Sequence, residues 1–550
     1  VSLEITPTVE QQTVIDYPSN LVAIAKPGSG KTFVIAAKIR AAVITCREHQ
    51  GVIAISYTNK ASDEIKRRAH QEAVEFKDSF FGTIDRFCDL EVILPFLPHL
   101  WGRPENDVTI LRIRDLPTKE QEHFASIQPN QVSLKVLEEH LGLVRSYFTQ
   151  GKLLLEMNGA LALYTLRASV ACRSYLRSRY TRIFVDEYQD SGLEQHELFL
   201  ELQRLGLIAV AVGDADQSIF GFSGKDSKYL TALAALPEFK TFPITYNHRC
   251  HPSIINYSLR FLAKDSQLLP AETIHVYKTS VAGNQIDVAT WLDQKLNTIC
   301  AKFDVSKKSD VGVLVRTTNT GEIIDRALNL KHRFIRSHAL EEHFSLWGKL
   351  FARLLAYHFD SQNTAQAIID EFGPRMFTAQ DVKRCRQLIK TLNRPELPDV
   401  ADFVAVAVRL CPNAQSEGAI QVLSESLLDE HIGASFAQPA DDEVQIMSIH
   451  KAKGLEFDVV FHLDLLEWVL PRKIPGEGND FDHCLYPDLD EDVHLHYVGI
   501  TRARKCCVLC TSTRRINAAG DEKNGSPSEF LNLSVLRELR RPIADLIEVN

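Results

Sequence analysis

No apolar run in this 550-residue chain approaches the roughly 20 residues that a membrane-spanning helix needs, so a helical membrane protein is excluded and no membrane partner is expected. No secretory signal precedes the first motif. The 11 cysteines are odd in number and scattered, which fits reduced thiols and a cytoplasmic setting better than a disulfide framework. Cys506, Cys507 and Cys510 lie close together, but no second pair stands at zinc-ribbon spacing, and 505–510 reads as a buried strand. An excess of basic residues is also missing: 62 Lys and Arg face 71 Asp and Glu, a net charge of −9. That excludes a histone-like wrapper but leaves a local nucleic-acid groove open, because affinity follows local phosphate contacts. Long glycine/serine linkers, repeats and low-complexity tracts are absent, and the length predicts two to four packed domains. Residues 518–525 read as a mobile loop. The acidic run Asp480, Asp482, Asp488, Asp490, Glu491 and Asp492 reads as a solvated loop. No other acidic metal-binding cluster follows the last motif, so nuclease chemistry within the chain is not expected.

What is present starts with Ala25-Lys26-Pro27-Gly28-Ser29-Gly30-Lys31-Thr32. Apolar residues 21–24 read as a buried strand and 32–39 as a helix, with the glycine-rich turn between them. Gly28 and Gly30 let backbone N–H groups curl around a β-phosphate without a Cβ in the way. The helix N-terminus adds its positive dipole end. Lys31 reaches the β/γ-phosphates and the Thr32 hydroxyl suits Mg²⁺. Ala25 stands where this loop pattern opens with glycine, a small change. Far downstream the apolar run 183–185 ends in Asp186 and Glu187. A carboxylate there is placed to hold Mg²⁺, and its neighbour to polarise an attacking water. Together the two motifs predict a nucleoside triphosphatase that uses ATP and Mg²⁺.

Strand–loop–helix units recur, which predicts an α/β protein. Residues 51–58 and 207–214 read as strands and 60–68 as a helix; 311–315, 444–449 and 459–463 resume the strand pattern. Two stretches, about 92–177 and 340–440, are helical instead, with 134–147, 381–391 and 419–428 as amphipathic candidates. The expected architecture is two parallel-sheet cores, each with a helical insertion. Its boundaries are 1–91 with 178–240 for the first core and 92–177 for its insertion. The second core takes 241–340 with 441–550, and its reduced insertion takes 341–440.

Further motifs follow in a fixed order. Glu10-Gln11 precedes the loop, and Thr58-Asn59-Lys60-Ala61 opens a helix. Asp186-Glu187-Tyr188-Gln189-Asp190-Ser191 extends the acidic pair, and Gly213-Asp214-Ala215-Asp216-Gln217-Ser218-Ile219-Phe220-Gly221-Phe222 comes next. Asn247-His248-Arg249, then His450-Lys451-Ala452-Lys453-Gly454-Leu455-Glu456-Phe457, then Tyr497-Val498-Gly499-Ile500-Thr501-Arg502-Ala503 complete the series. The series resembles the UvrD/Rep-type superfamily 1 helicases over residues 5–535. The resemblance implies two RecA-like cores in a 1A/1B/2A/2B arrangement. It implies that Gln11 reads adenine, that Gln217 senses the γ-phosphate and that Glu456 holds the ribose. Arg249 and Arg502 would be arginine fingers from the second core. Thr58, Asn59 and Thr83 would bind DNA phosphates, Phe220 and Phe222 would stack on bases, and His450 would add a contact. Lys66, Arg67 and Arg68, and the cluster Arg173, Arg177, Arg179 and Arg182, are basic faces that suit either solvent or DNA.

The chain departs from that family where Phe222-Ser223-Gly224 replaces Trp-Arg-Gly, and where Gly82-Thr83-Ile84-Asp85 replaces Gly-Thr-x-His. Its insertions are also shorter, especially the second, so strand grip and duplex separation are less well marked than ATP hydrolysis. The compact length and the segments 81–87 and 182–191 resemble the helicase-like B subunits of Gabija anti-phage defence systems. That resemblance implies an OLD-type ATPase–Toprim nuclease partner, Gabija A, and single-stranded or end-containing DNA as the other partner. Two readings follow: a 3′-to-5′ translocase or helicase on single-stranded DNA, including a stand-alone repair helicase, or a regulatory ATPase within a defence complex. A binding module without hydrolysis is disfavoured, since Lys31, Thr32, Asp186, Glu187, Gln217, Arg249 and Arg502 are all present.

Overall fold

The computed structural model describes residues 6–547, except 71–74, 107, 126, 128–131, 222–223, 337, 342, 344, 361–362, 374–376, 413, 430–431 and 479, and the side chains at 59, 60, 115 and 434. The chain divides into two compact units. One comprises 1–87, 173–334 and 440–550; the other comprises 88–172 and 335–439.

The first unit holds two large sheets. The strands β1 (Leu21–Ala25), β2 (Gly51–Ile55), β3 (Phe80–Gly82), β4 (Tyr180–Val185), β5 (Ile208–Gly213) and β6 (Lys240–Ile244) form one sheet in the order β3-β2-β4-β5-β1-β6. Every pairing in it is parallel. β1 and β2 are nearly unbroken apolar runs and are buried almost throughout. Strands covered on both faces must read that way, because neither face meets water. The second sheet takes β7 (Val276–Val281), β8 (Val311–Val315), β9 (His332–Ile335), β10 (Val444–Ser448), β11 (Phe457–His462), β12 (Ala503–Ser512) and β13 (Arg541–Pro542) in the order β9-β10-β8-β11-β12-β7-β13. Its core includes Val311, Val313, Val459, Phe461, Cys506, Val508 and Cys510. Parallel strands align their C-terminal ends along one edge of a sheet. In the first sheet that edge carries the loop after β1, Asp186 after β4 and Asp214 after β5, the usual place for ligands in open α/β sheets.

The second unit contains, in 335–439, helices Leu346–Phe359, Ala365–Phe372, Ala379–Lys390, Val400–Leu410, Glu417–Leu427 and Ile432–Phe436 around Trp347, Phe351, Leu354, Phe403 and Val406. The Trp347 indole N–H donates to the Cys411 carbonyl at 2.9 Å, so its one polar atom is satisfied in the core. Its 88–172 part adds a two-stranded parallel sheet, Thr109–Leu111 with Lys152–Leu154, that the helical pattern did not announce.

Three local expectations need correction. The helix expected over 134–147 is two, Leu134–Glu139 and Leu141–Thr149. His140 leaves helical geometry at φ −110°, ψ 11°, and Gly142 beside it favours the break. The expected mobile loop 518–525 is in part strand: Glu522–Asn524 pairs antiparallel with Arg514–Ile516. Its turn is fixed by the Asn517 side chain, which accepts from the N–H groups of Ala519 and Asp521, an Asx-type turn. The acidic run is not a solvated loop either. Asp480–Leu485 is a strand and Asp490, Glu491 and Asp492 fill the first turn of helix Leu489–Thr501, where the helix dipole favours carboxylates. Asp492 is fully buried, accepting from the Arg472 N–H at 2.6 Å and from Arg316 at 3.3 Å. Among the described residues no helix is long and apolar enough to cross a membrane, and no group of three or more His, Cys, Asp or Glu side chains forms a metal cluster.

Candidate functional site

The loop after β1 turns through two left-handed glycines, Gly28 at φ +67° and Gly30 at φ +80°, into helix Lys31–Ile44. A Cβ on Gly28 would stand 2.6 Å from the Arg249 Cβ, and one on Gly30 would stand 2.6 Å from the Gln11 amide nitrogen. Both positions therefore require glycine for space as well as for conformation. Ala25 ends β1, Lys26 donates to the Ile244 carbonyl from its backbone and pairs with Asp216 from its side chain, and Ser29 is buried beneath the turn. Pro27 is buried with it. The first-turn N–H groups of Lys31 and Thr32 meet no backbone acceptor among the described residues, so a cradle of donors is left open, suited to an anion. Gln11 lies on the loop: its side-chain nitrogen donates to the Ser29 carbonyl at 2.9 Å and lies 3.4 Å from the His248 ring. A capping box with Thr8 fixes its backbone.

Lys31 Nζ lies 3.3 Å from a Glu187 carboxylate oxygen. Burial pulls against its charge, but Glu187, Asp214 and Asp186 hold the ammonium above its ordinary range. Asp186 continues β4 and accepts from the Glu187 N–H at 2.9 Å. Burial and the Glu187 charge push the Asp186 carboxyl up; Lys31, Lys453 and Gln189 overcome burial and hold Glu187 down. Glu187 adopts the left-handed region at φ +53°, a strained conformation for a side chain of its size, and Gln189 donates to its carboxylate. Two adjacent carboxyls are thus driven apart, one towards neutrality and one firmly ionised.

Arg502, at the end of helix Leu489–Thr501, is 1% exposed. It donates to the carbonyls of Val498 and Leu455 and, at 3.2 Å, to Gln217 Oε1. No carboxylate among the described residues stands within ion-pair distance of it. Burial and then Arg249 lower its pKa to about 10, so it is charged at neutral pH. Gln217 is fixed by donating to Asp214 at 2.7 Å. Arg249 is positioned by the Asn247 side chain, which accepts from its N–H at 2.7 Å, and its guanidinium pairs with Glu456 at 2.7 Å. Residues from both sheets, Gln11, Lys31, Asp186, Glu187 and Gln217 with Arg249, Glu456 and Arg502, are thereby brought to one site within the first unit.

The residues assigned to DNA fall differently. Thr58 caps helix Asn59–Ala69, accepting from Ala61 N–H at 3.1 Å, and Thr83 accepts weakly from Arg86 N–H at 3.4 Å. The Asn59 side chain and all of Phe222 lie outside the described residues. The Phe220 ring stacks on Tyr57 with centroids 4.7 Å apart and an interplanar angle of 24°. His450 lies 6.2 Å from the same ring and 3.8 Å from Glu491. Arg67 and Arg68 pair with Glu64 on their own helix.

Against this geometry, residues 352–514 match the UvrD-like helicase C-terminal domain and residues 11–223 match an AAA domain. Over residues 352–514 the chain is similar to the UvrD-like helicases. Among similar proteins are the Gabija protein GajB of Bacillus cereus (strain VD045), 25% identical over 92% of this chain and 96% of the relative. The ATP-dependent DNA helicase Rep of Buchnera aphidicola subsp. Schizaphis graminum is 21% identical over 92% and 93% of the two chains. PcrA of Staphylococcus aureus (strain MRSA252) is 23% identical over 95% and 85%. The structure also places residues at the site that sequence reasoning missed. Lys453 pairs with Asp190 at 2.6 Å, donates to the Gln217 carbonyl at 2.6 Å and lies 5.0 Å from the Phe220 ring centre. Gln189 joins Glu187 to the Asp214 N–H. Their motifs had been noted, but nothing in their spacing distinguished these members from their neighbours. Tyr57 carried no signal beyond standing before Thr58.

Proposed function

We propose that this chain is a DNA-dependent ATPase that translocates 3′-to-5′ on single-stranded DNA and acts in anti-phage defence with a partner nuclease of the ATPase–Toprim kind. The observation that carries the ATPase reading is Arg502: a buried, charged guanidinium with no ion-paired carboxylate among the described residues, directed at Gln217. Such a cation is stabilised by an arriving anion, and a γ-phosphate supplies one. Lys31 neutralises the β/γ-phosphates and the loop N–H groups at 28–32 orient them. Gln11 meets the adenine and Glu456 the ribose. Glu187, kept ionised, takes the proton of the attacking water. Gln217 and Arg502, with Arg249, stabilise charge on the γ-phosphoryl oxygens as it transfers. The Thr32 hydroxyl and the Asp186 carboxylate form a hard-oxygen pair that suits Mg²⁺, which when bound supplies further neutralisation of the phosphates. Tyr57 and Phe220 offer a ring platform for bases, and Thr58, Asn59, Thr83, Phe222 and His450 complete the strand contacts. The defence setting and the nuclease partner rest on the likeness to GajB along nearly the whole chain.

The test is ATP hydrolysis and duplex unwinding by the purified chain, alone and with the nuclease subunit. ATPase stimulated by single-stranded DNA, with nuclease activation on mixing, is the expected result. Efficient unwinding with no effect on any nuclease would favour a stand-alone repair helicase.

A further inference from the structure

Arg249 and Glu456 hold one another in a way that their separate roles do not require. The Arg249 Nε–H donates to Glu456 at 2.7 Å, and Arg504 approaches the other carboxylate oxygen at 3.4 Å. Arg249 is mostly covered, 16% exposed at its side chain, whereas Glu456 is 44% exposed and open to a ligand. The Arg249 Cβ lies against Gly28, at the phosphate loop itself. Its guanidinium is nevertheless committed to a carboxylate, while Arg502 has no carboxylate within ion-pair distance among the described residues.

We propose that Glu456 is a latch on Arg249 that the nucleotide sugar opens: ribose hydroxyls donate to the Glu456 carboxylate, take over the acceptor that Arg249 occupies, and hand the guanidinium to the polyphosphate. The inference rests on the ATPase reading above. A carboxylate only accepts hydrogen bonds, and a ribose offers it two hydroxyl donors. The guanidinium exchanges one carboxylate for several phosphate oxygens, which its planar fork suits. Sugar recognition thereby becomes a condition for placing Arg249 in the transition state, so sugar specificity is expressed in turnover rather than in binding. A ribose contact without the latch would be uniform binding and would change KM alone.

The experiment compares steady-state hydrolysis of ATP and 2′,3′-dideoxy-ATP by the wild-type chain and by Glu456→Gln, at saturating single-stranded DNA. With wild type, kcat for the dideoxy nucleotide is expected to fall about tenfold, the loss of a hydrogen bond to a charged group. In Glu456→Gln, where the ion pair is gone, the ratio of the two kcat values is expected to close to within about twofold, since the group that discriminates has been removed. A wild-type difference confined to KM overturns the latch, and so does an unchanged kcat ratio in the variant. The wild-type arm stands without the variant, should Glu456→Gln fail to fold. Failure of the ATPase reading is separately visible as hydrolysis that Lys31→Ala does not abolish.

Discussion

Arg502 pays its burial cost in one place and recovers it in another. Its donors reach two carbonyls, one amide oxygen and the Thr501 hydroxyl, all neutral, so no hydrogen-bonded carboxylate matches its charge. Arg502→Ala is expected to lower kcat about a thousandfold while nucleotide affinity changes little, as for an arginine that acts in phosphoryl transfer. Hydrolysis assays beside fluorescent-nucleotide titration check both halves. Gly28→Ala meets two obstacles, φ +67° and a contact of 2.6 Å to the Arg249 Cβ, and is expected to abolish nucleotide binding while leaving the far-ultraviolet circular dichroism of the fold in place. At this scale much was legible in the sequence. Gly28, Gly30, Lys31, Asp186 and Glu187 are close in the chain to the elements that present them, so local spacing places them. Lys453 and Asp190 meet across 263 positions, and no local pattern encodes a contact between segments that far apart.

Strand and helix existence was readable wherever apolar runs were unbroken, as in β1 and β8. It failed where side-chain hydrogen bonding decided the local path: the Asn517 turn made a hairpin of an expected loop, and His140 with Gly142 divided an expected helix. Two elements also carry a pH dependence. His462 on β11 and His496 on helix Leu489–Thr501 are fully buried, with ring nitrogens 3.0 Å apart. Burial lowers the pKa of His462 to about 4 and that of His496 well below its ordinary value. The unfolded chain binds their protons from pH 6.5 downward and the folded chain does not. Their contribution to stability is therefore complete above pH 6.5 and lost as pH falls from there through 4, by about 1.4 kcal/mol per pH unit for each proton. Thermal unfolding from pH 7 to 4.5 should show this slope, reduced in His496→Phe. β12 supplies a second check. Cys506, Cys507 and Cys510 are buried in it with raised pKa values, and of all 11 cysteines only Cys484 is not buried. Native protein should release roughly one thiol equivalent with Ellman's reagent, and all of them in denaturant.

For the whole molecule, the two large sheets of the first unit meet through polar groups at this site: Arg502 to Gln217, Lys453 to Asp190, and His494 to the Ser218 carbonyl at 3.0 Å. Contacts of that kind can be exchanged for contacts to a bound nucleotide at little net cost, which suits a cleft that closes and reopens with hydrolysis. The chain order of motifs made this pairing of sheets legible. The expected insertion boundaries came from the helical pattern of the sequence, and the compact unit of 88–172 and 335–439 is set by long-range packing. The measurement that bears most directly on the account is the rate of ATP hydrolysis by the purified chain, with and without single-stranded DNA, beside Lys31→Ala. Hydrolysis that rises severalfold or more with DNA and disappears in the variant is the predicted result; hydrolysis that persists in Lys31→Ala, or that DNA leaves unchanged, would contradict it.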